Sequence, residues 1–490
     1  MRRFRPFVQA AACVCAIAFS TTAATGVAQS AAPGKVPITT SSPDARDLYL
    51  KGRELAERLR ATDAREYYKQ AVAKDPNFAM GHIGLANTSG TTKEFIDAVT
   101  RAASLASQVS EGERHIILGQ ESAMKGEPAG TLSHYSELVR LFPDDERAQT
   151  LLGNLYFGRQ DYESAIKHFV KATTINPSFS QPYNQLGYAY RFLERMTDAE
   201  AAFNKYVQLI PNDPNPHDSY AELLLKLGRF DEAIKAYEKA LSIDPNFVAS
   251  YVGIGNAHLS AGRTDEARKA FARIAAVART TGERRLARFW TAASYVHEGT
   301  TDKALDELRA GYALAEAEHD SGSMSGDLTQ MGDVLREAGR PDEALAKYNQ
   351  AVQVIEQASV PAEVKAATRR NHVFEEARVA VAKNDLETAK AKSAEYAKLI
   401  AGRNAPFERR QQHELSGLIA LAEKRPADAV QELSRANQQD PRILYLTAVA
   451  LREAGDLEKA NIVAAKAAKF NGLAFNYGYV RTKAAKIARS

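Results

Sequence analysis

Apolar and small residues recur along this chain with the period of a helix rather than a strand. Within Glu146–Asn176 they fall at Leu152, Gly153, Tyr156, Ala165, Phe169 and Ala172, and Pro177 follows. The next stretch repeats the order as Leu186, Gly187, Tyr190, Ala199, Phe203 and Pro211. Steps of three and four residues mark one face of an amphipathic helix, and a break with a polar turn in the middle marks two such helices. The turn itself recurs: Gln160-Asp161-Tyr162-Glu163-Ser164-Ala165, Gly228-Arg229-Phe230-Asp231-Glu232-Ala233 and Gly262-Arg263-Thr264-Asp265-Glu266-Ala267 are variants of one sequence. Aligning on the residue after this turn gives Ala64, Ala98, Thr131, Ala165, Ala199, Ala233, Ala267, Ala304, Ala344, Ala389, Ala429 and Ala460, a mean spacing of 36 residues. Twelve helix–turn–helix units are predicted. A missed period of this kind would misassign the whole fold.

Each conserved-looking slot has a mechanical reason. Glycine inside a helix costs about 1 kcal/mol relative to alanine, so Gly153, Gly187, Gly255, Gly332 and Gly417 imply that a neighbouring helix approaches closely. An aromatic residue four places after the alanine (Tyr68, Tyr135, Phe169, Phe203, Tyr237, Phe271, Tyr348) fills the space so created. Pro76, Pro143, Pro177, Pro211, Pro245 and Pro441 are expected to end second helices, because the residue before proline is pushed out of the α region. Gly228, Gly262, Gly339 and Gly455 are expected C-terminal stops of first helices.

This Leu-Gly, Tyr, Ala, Phe, Pro order resembles the tetratricopeptide repeat, over about Ala45 to Phe475. The tryptophan slot of that family is filled here by His82, Gln149, Tyr183, His217, Tyr251 and His413, which points to packing rather than metal ligation for those histidines. The resemblance implies an all-α superhelical solenoid whose first helices line a concave face. In register, that face presents Thr150, Asn154 and Phe157, then Gln181, Asn184, Tyr188, Arg191 and Phe192, then Asp218, Glu222 and Lys226, then Asn256. Tyr188, Arg191 and Phe192 form the expected anchor, since aromatics and arginine dominate binding hot spots. The chaperone-carboxylate clamp of the family is not matched, because Thr150 stands at the lysine place beside Asn154. Nor is the asparagine ladder of the O-linked N-acetylglucosamine transferase superhelix, whose slot holds Leu151, Gln185, Ser219 and Gly253.

Composition alters this picture mainly at the N-terminus. Arg2, Arg3 and Arg5, an apolar run from Ala10 to Phe19, and small residues at Gly26-Val27-Ala28 are ordered as in a secretory signal peptide. The apolar run is about ten residues, short of the ~20 needed to span a bilayer. Residues 1–28 are therefore expected to be removed, with 29–44 a flexible linker, 45–281 a regular array, 282–475 longer and degenerate repeats, and 476–490 a basic capping helix. Both cysteines, Cys13 and Cys15, lie in the leader, so no disulfide or thiolate chemistry is expected of the mature chain. Loss of three arginines lowers the formal net charge from +4 to +1, which gives no reason to expect nucleic acid as a partner.

The motifs of catalysis are not matched. Gly253-Ile254-Gly255 lacks the third glycine of a dinucleotide fingerprint, and Gly322-Ser323-Met324-Ser325-Gly326 carries methionine where a nucleophile elbow has serine and reads as a linker. None of the ten histidines forms the paired zinc-binding helix. The sequence thus predicts a non-enzymatic scaffold without cofactor or metal. It is expected to be exported to the periplasm or outer face of a Gram-negative cell, to bind a protein or peptide and to be capable of self-association. An assembly factor for envelope or polysaccharide-export machinery is an alternative in the same class. A small-ligand carrier or enzyme is the competing class, and it would require a closed pocket that an open ribbon rarely supplies.

Overall fold

The computed structural model describes residues 28–29 and 33–489. The leader reading, apart from Ala28, and both cysteines lie outside the described residues. Twelve antiparallel helix pairs run from Pro43–Glu57 with Ala61–Lys74 to Pro441–Glu453 with Leu457–Ala468, and a single helix, Tyr477–Ile487, follows. The units are numbered 1 to 12 below.

Eleven of the twelve alignment slots are the fourth residue of a second helix and are 0–3% exposed, from Ala64 and Thr131 to Ala429 and Ala460. Unit 2 is the exception. Its second helix is Thr92–Ser104, so the fourth residue is Phe95; Val99 and Ala102 are fully buried while Ala98 is only partly so. Pro441 also departs from expectation: it opens the first helix of unit 12 behind the Asp145-like cap Asp440, whose carboxylate accepts from the Arg442 N–H. The Gly322–Gly326 stretch is not a linker but the opening of the helix Ser321–Glu337.

The glycine slots behave as close-approach points. A Cβ on Gly255 would stand 2.0 Å from Phe271 Cε1, and one on Gly253 would stand 2.1 Å from Tyr237 Cζ. The first contact lies within unit 7 and the second joins it to unit 6, so each aromatic both closes its own hairpin and seats the next. A second rule recurs at the tryptophan slot. His82, Gln149, Tyr183, His217 and Tyr251 each hydrogen-bond the carbonyl of the proline six residues earlier, at 2.9–3.3 Å. This satisfies a carbonyl that the proline bend leaves without a helical partner. His413 instead pairs with Glu432 Oε2 at 2.8 Å.

The segment read as a flexible linker is held down from residue 35 onward. Val36 N–H donates to Asp145 Oδ2, and Thr39 donates through N–H and Oγ1 to the buried Glu113 carboxylate. Thr40 and Ser41 cap Asp75. Carboxylates from three different units thus bind residues 36–41, a long-range pattern that the segment's own composition does not announce.

The ribbon coils back on itself, so that units about seven apart touch. Asp63 in unit 1 accepts from Arg279 at 2.8 Å, Gly126 O in unit 3 accepts from Arg403 at 2.6 Å, and Arg159 O in unit 4 accepts from Arg410 at 3.2 Å. Gln160 meets Asn437, and Glu194 in unit 5 pairs with Lys466 at 3.2 Å. The last helix packs on unit 12 and also on the first helix of unit 8, Thr281–Glu298, where Phe475, just before it, lies 4.8 Å from Phe289. Its basic side does not simply face water, because Arg481 reaches unit 7.

Candidate functional site

The concave face carries one groove within the N-terminal units, and stacking of the turns bounds a second, larger chamber. The first, of about 670 Å³, is lined by the first helices of units 1 to 5: Tyr49, Arg53, Met80, Ile83, Asn87, Ile116, Thr150, Asn154 and Gln181 among others. The second, of about 1150 Å³, lies between units 4–6 on one wall and units 11–12 with the loop after them on the other. Of the twelve residues expected on the concave face, Thr150, Asn154 and Gln181 line the first chamber, and Phe157, Arg191, Phe192, Glu222 and Lys226 line the second. Asn184, Tyr188, Asp218 and Asn256 line neither.

Four of the twelve are almost wholly buried. Thr150, Asn184, Asp218 and Asn256 are only 3–5% exposed. Thr150 Oγ1 donates back to Glu146 O and Asn256 Nδ2 to Val252 O, while Asp218 Oδ1 accepts from Ser250 Oγ of the next unit at 2.7 Å. Asp218 thus joins the first helices of units 6 and 7 across their seam, and Thr150 and Asn256 are tied to their own helices. A wheel drawn for one helix cannot tell the seam from the floor, since the two differ by about one residue of rotation. Burial, with help from Glu222, pushes the Asp218 carboxyl up to about 8.

The expected anchor is assembled but already engaged. The Arg191 guanidinium carbon stands 4.9 Å from the Tyr188 ring centroid and 5.0 Å from that of Phe192, and Nη1 pairs with Glu222 Oε2 at 3.1 Å. Tyr188 Oη donates to Ser219 Oγ at 3.3 Å. Phe192 stacks on Tyr162 with centroids 5.0 Å apart and meets Phe157 edge-on. Lys226, one turn beyond Glu222, donates to Phe470 O at 2.9 Å, with Nζ 4.6 Å from the Phe470 ring centroid. Burial, reinforced by the positive charge of Arg191, lowers its ammonium to about 8.

A third cavity, of about 380 Å³, holds a charged cluster that pattern reading missed. Asp333, Arg336, Glu337, Glu375, Arg378, Glu414 and Arg442 come from the first helices of units 9 to 12. Arg378 and Arg442 are 7% exposed, as is Glu414. Arg378 pairs with Glu375 at 2.9 Å and Asp333 at 3.3 Å, Arg336 with Glu337 at 2.9 Å, and Arg442 with Glu414 and Glu337. Burial alone would raise the Glu414 carboxyl, but Arg442 and Arg378 hold it below the usual range. Such pairs repay their desolvation only when fully hydrogen-bonded. The signal available in sequence was arginine and carboxylate three or four residues apart in the middle of first helices, where packing positions were expected.

Residues 224–288, 153–191 and 180–213 match tetratricopeptide-repeat family models. Comparison with curated proteins finds no match. Among solved structures, the chain is similar to the MamA protein, with 24% identity over 34% of this chain and 91% of that chain and a TM-score of 0.29. It is similar to the APC/C hetero-tetramer Cut9–Hcn1, at 16% identity over 86% and 76% with a TM-score of 0.39. A tetratricopeptide repeat protein from Parabacteroides merdae is 16% identical over 56% and 98%, with a TM-score of 0.35.

Proposed function

This is a tetratricopeptide-repeat protein, and from that premise we propose that it is a non-enzymatic scaffold whose N-terminal chamber takes an extended segment of a partner protein. The observation that carries this reading is Asn154. Its side chain lines the groove beside Gln181, Met80, Ile83 and Ile116. An extended segment lying there meets the side-chain amides of Asn154 and Gln181 while its own side chains cover the apolar lining. Arg147 and Glu57 pair at the same rim, at 2.7 Å, and add polar selectivity. A groove formed before binding loses little conformational entropy on occupation.

The reading includes the bacterial envelope as the site of action, supported by the basic, apolar and small order of residues 1–28. Among the described residues no helix is long and apolar enough to cross a membrane.

The test is photo-cross-linking from a benzoylphenylalanine at Gln181 and, separately, at the exposed convex position Val170, in intact cells, with mass-spectrometric mapping of the captured segment. Capture from Gln181 of one defined segment, lost in Asn154→Ala and absent from Val170, is the expected result. Equal capture at both positions, or none at Gln181, overturns the groove assignment. Fractionation and N-terminal sequencing of the same protein test the envelope reading separately.

A further inference from the structure

The larger chamber between the stacked turns differs chemically from the N-terminal groove. Phe157 and Phe192 face it from units 4 and 5, and Leu444, Leu451, Ile462 and Leu473 face it from the other wall. Ile462 is 53% exposed and Leu473 36% exposed, so apolar side chains stand uncovered inside a bounded volume of about 1150 Å³. Ligand sites of comparable size are of order 300–1,000 Å³.

The polar groups of the lining are for the most part already used. Arg191 is paired with Glu222, and Lys466 with Glu194. Thr447 Oγ1 donates to Ile443 O at 2.8 Å, and Gln438 Nε2 to Leu433 O at 2.8 Å. A peptide backbone buried here would bring N–H and C=O groups with few partners, at a cost of several kcal/mol per strand of contacts. An aliphatic chain brings none.

One charge is left over. Lys226 has no carboxylate within ion-pair distance among the described residues; its acceptor is the neutral carbonyl of Phe470. Arg191 adds the most positive potential, Glu194 opposes it, and Lys466 adds less. The chamber therefore offers one desolvated cation at the edge of a long apolar wall.

We propose that the inter-turn chamber binds a long-chain fatty acid, its carboxylate pairing with Lys226 and its hydrocarbon chain lying between Phe157 and Phe192 on one wall and Leu444, Ile462 and Leu473 on the other. A carboxylate is a charge-assisted acceptor, and about 0.8 kcal/mol per buried methylene favours the chain. The site is separate from the N-terminal groove, so both can be filled together.

The test uses the purified full chain and displacement of fluorescent cis-parinaric acid by oleate, methyl oleate, acetate and lysophosphatidic acid. Saturable displacement by oleate is expected, with methyl oleate at least about tenfold weaker, a difference of about 1.4 kcal/mol, and acetate inactive. Lys226→Met is expected to bring oleate down to the methyl oleate level, and Lys226→Arg to restore it. Ile462→Asp, at an exposed position that leaves helicity by circular dichroism unchanged, is expected to abolish binding. The proposal is overturned if oleate fails to displace, if it binds Ile462→Asp as well as the parent, if methyl oleate matches oleate in the parent chain, or if lysophosphatidic acid binds more tightly than oleate.

Discussion

Arg481, in the last helix, donates from Nη1 to the carbonyl oxygen of Leu259 at 2.8 Å, across 222 residues of sequence. Nη2 takes the adjacent Ser260 carbonyl. Those two carbonyls end the first helix of unit 7, Val248–Ser260, where the helix dipole is negative and the last C=O groups have no helical partner. The same device appears where Arg403 takes Gly126 O and Arg410 takes Arg159 O. Second-turn arginines thus cap first-turn helices, and this fixes the stacking that bounds the larger chamber.

Replacing Arg481 by alanine is expected to loosen the last helix without melting the array. Loss of hydrogen bonds to a charged donor costs about 1–2 kcal/mol after allowance for its partial exposure. In a repeat protein that cost falls on the local unit. Amide exchange by mass spectrometry should accelerate in residues 477–487 and in 248–260 and stay unchanged in 61–74. Uniform acceleration over all three would show that the contact is not a local latch.

Acid should release the same contact. His297 lies under the last helix, with Tyr477 edge-on at 5.8 Å and Gly478 against its ring. Burial, with the positive charge of Arg481 added, lowers its imidazolium to about 4, against about 6.5 for a free histidine. The docked state therefore binds the proton less well than the released state. Docking is at full strength above about pH 6.5 and is lost as pH falls towards 4, by about 1–3 kcal/mol over that window. Trp290 is the single tryptophan, touches Phe289 and sits in the same apolar cluster as Phe475. Its emission should move to the red between pH 7 and 4.5, and His297→Gln should flatten that change. A titration unaffected by the substitution would assign it to another group.

The repeat itself was legible because its slots are local: Ala165 with Phe169, Gly153 with Phe169, and Gly228 at φ 77° all lie within one unit. Unit 2 misled because alanines crowd its second helix, and only the capping at Thr91 shows that Phe95 holds the fourth place. The left-handed turn position was visible as Gly228, Gly262 and Gly339 but not as Leu59, Gln160 or Glu194, which adopt the same positive φ with no glycine to mark them. The chambers were not legible at all. The larger one depends on side chains reaching backbone carbonyls more than 200 residues away, and every residue carries a carbonyl. Whether an expected concave residue such as Asp218 or Arg191 faces a partner or a neighbour depends on rotation and stacking that no periodicity encodes.

Two glycine substitutions should move stability in opposite directions. Gly255→Ala places a methyl 2.0 Å from Phe271 Cε1, and the ring, itself fully buried, has nowhere to go. A net loss of about 1–3 kcal/mol is expected from overpacking, read as a lower urea midpoint. Gly326→Ala, in the exposed face of Ser321–Glu337 with nothing within 4 Å, should gain about 0.5–1 kcal/mol from helix propensity. Equal effects would mean that close approach is not what the mid-helix glycines serve.

Asp218→Asn should stabilise the chain in a pH-dependent way. In the parent the carboxyl, pushed up to about 8 by burial and by Glu222, keeps its proton in the native state through a range where the unfolded chain, at about 4, has released it. The native state then binds more protons than the unfolded state, so stability is fully present below about pH 4 and is lost as pH rises through 8. Asparagine keeps the acceptor for Ser250 Oγ and carries no charge. Urea midpoints of variant and parent should coincide near pH 4 and diverge by about 1–3 kcal/mol in favour of the variant at pH 8. Because every other titrating group is common to both chains, the difference curve isolates this seam. A difference independent of pH would show that Asp218 is ionised in the folded protein, and the polar floor between units 6 and 7 would then be wetter than its burial implies.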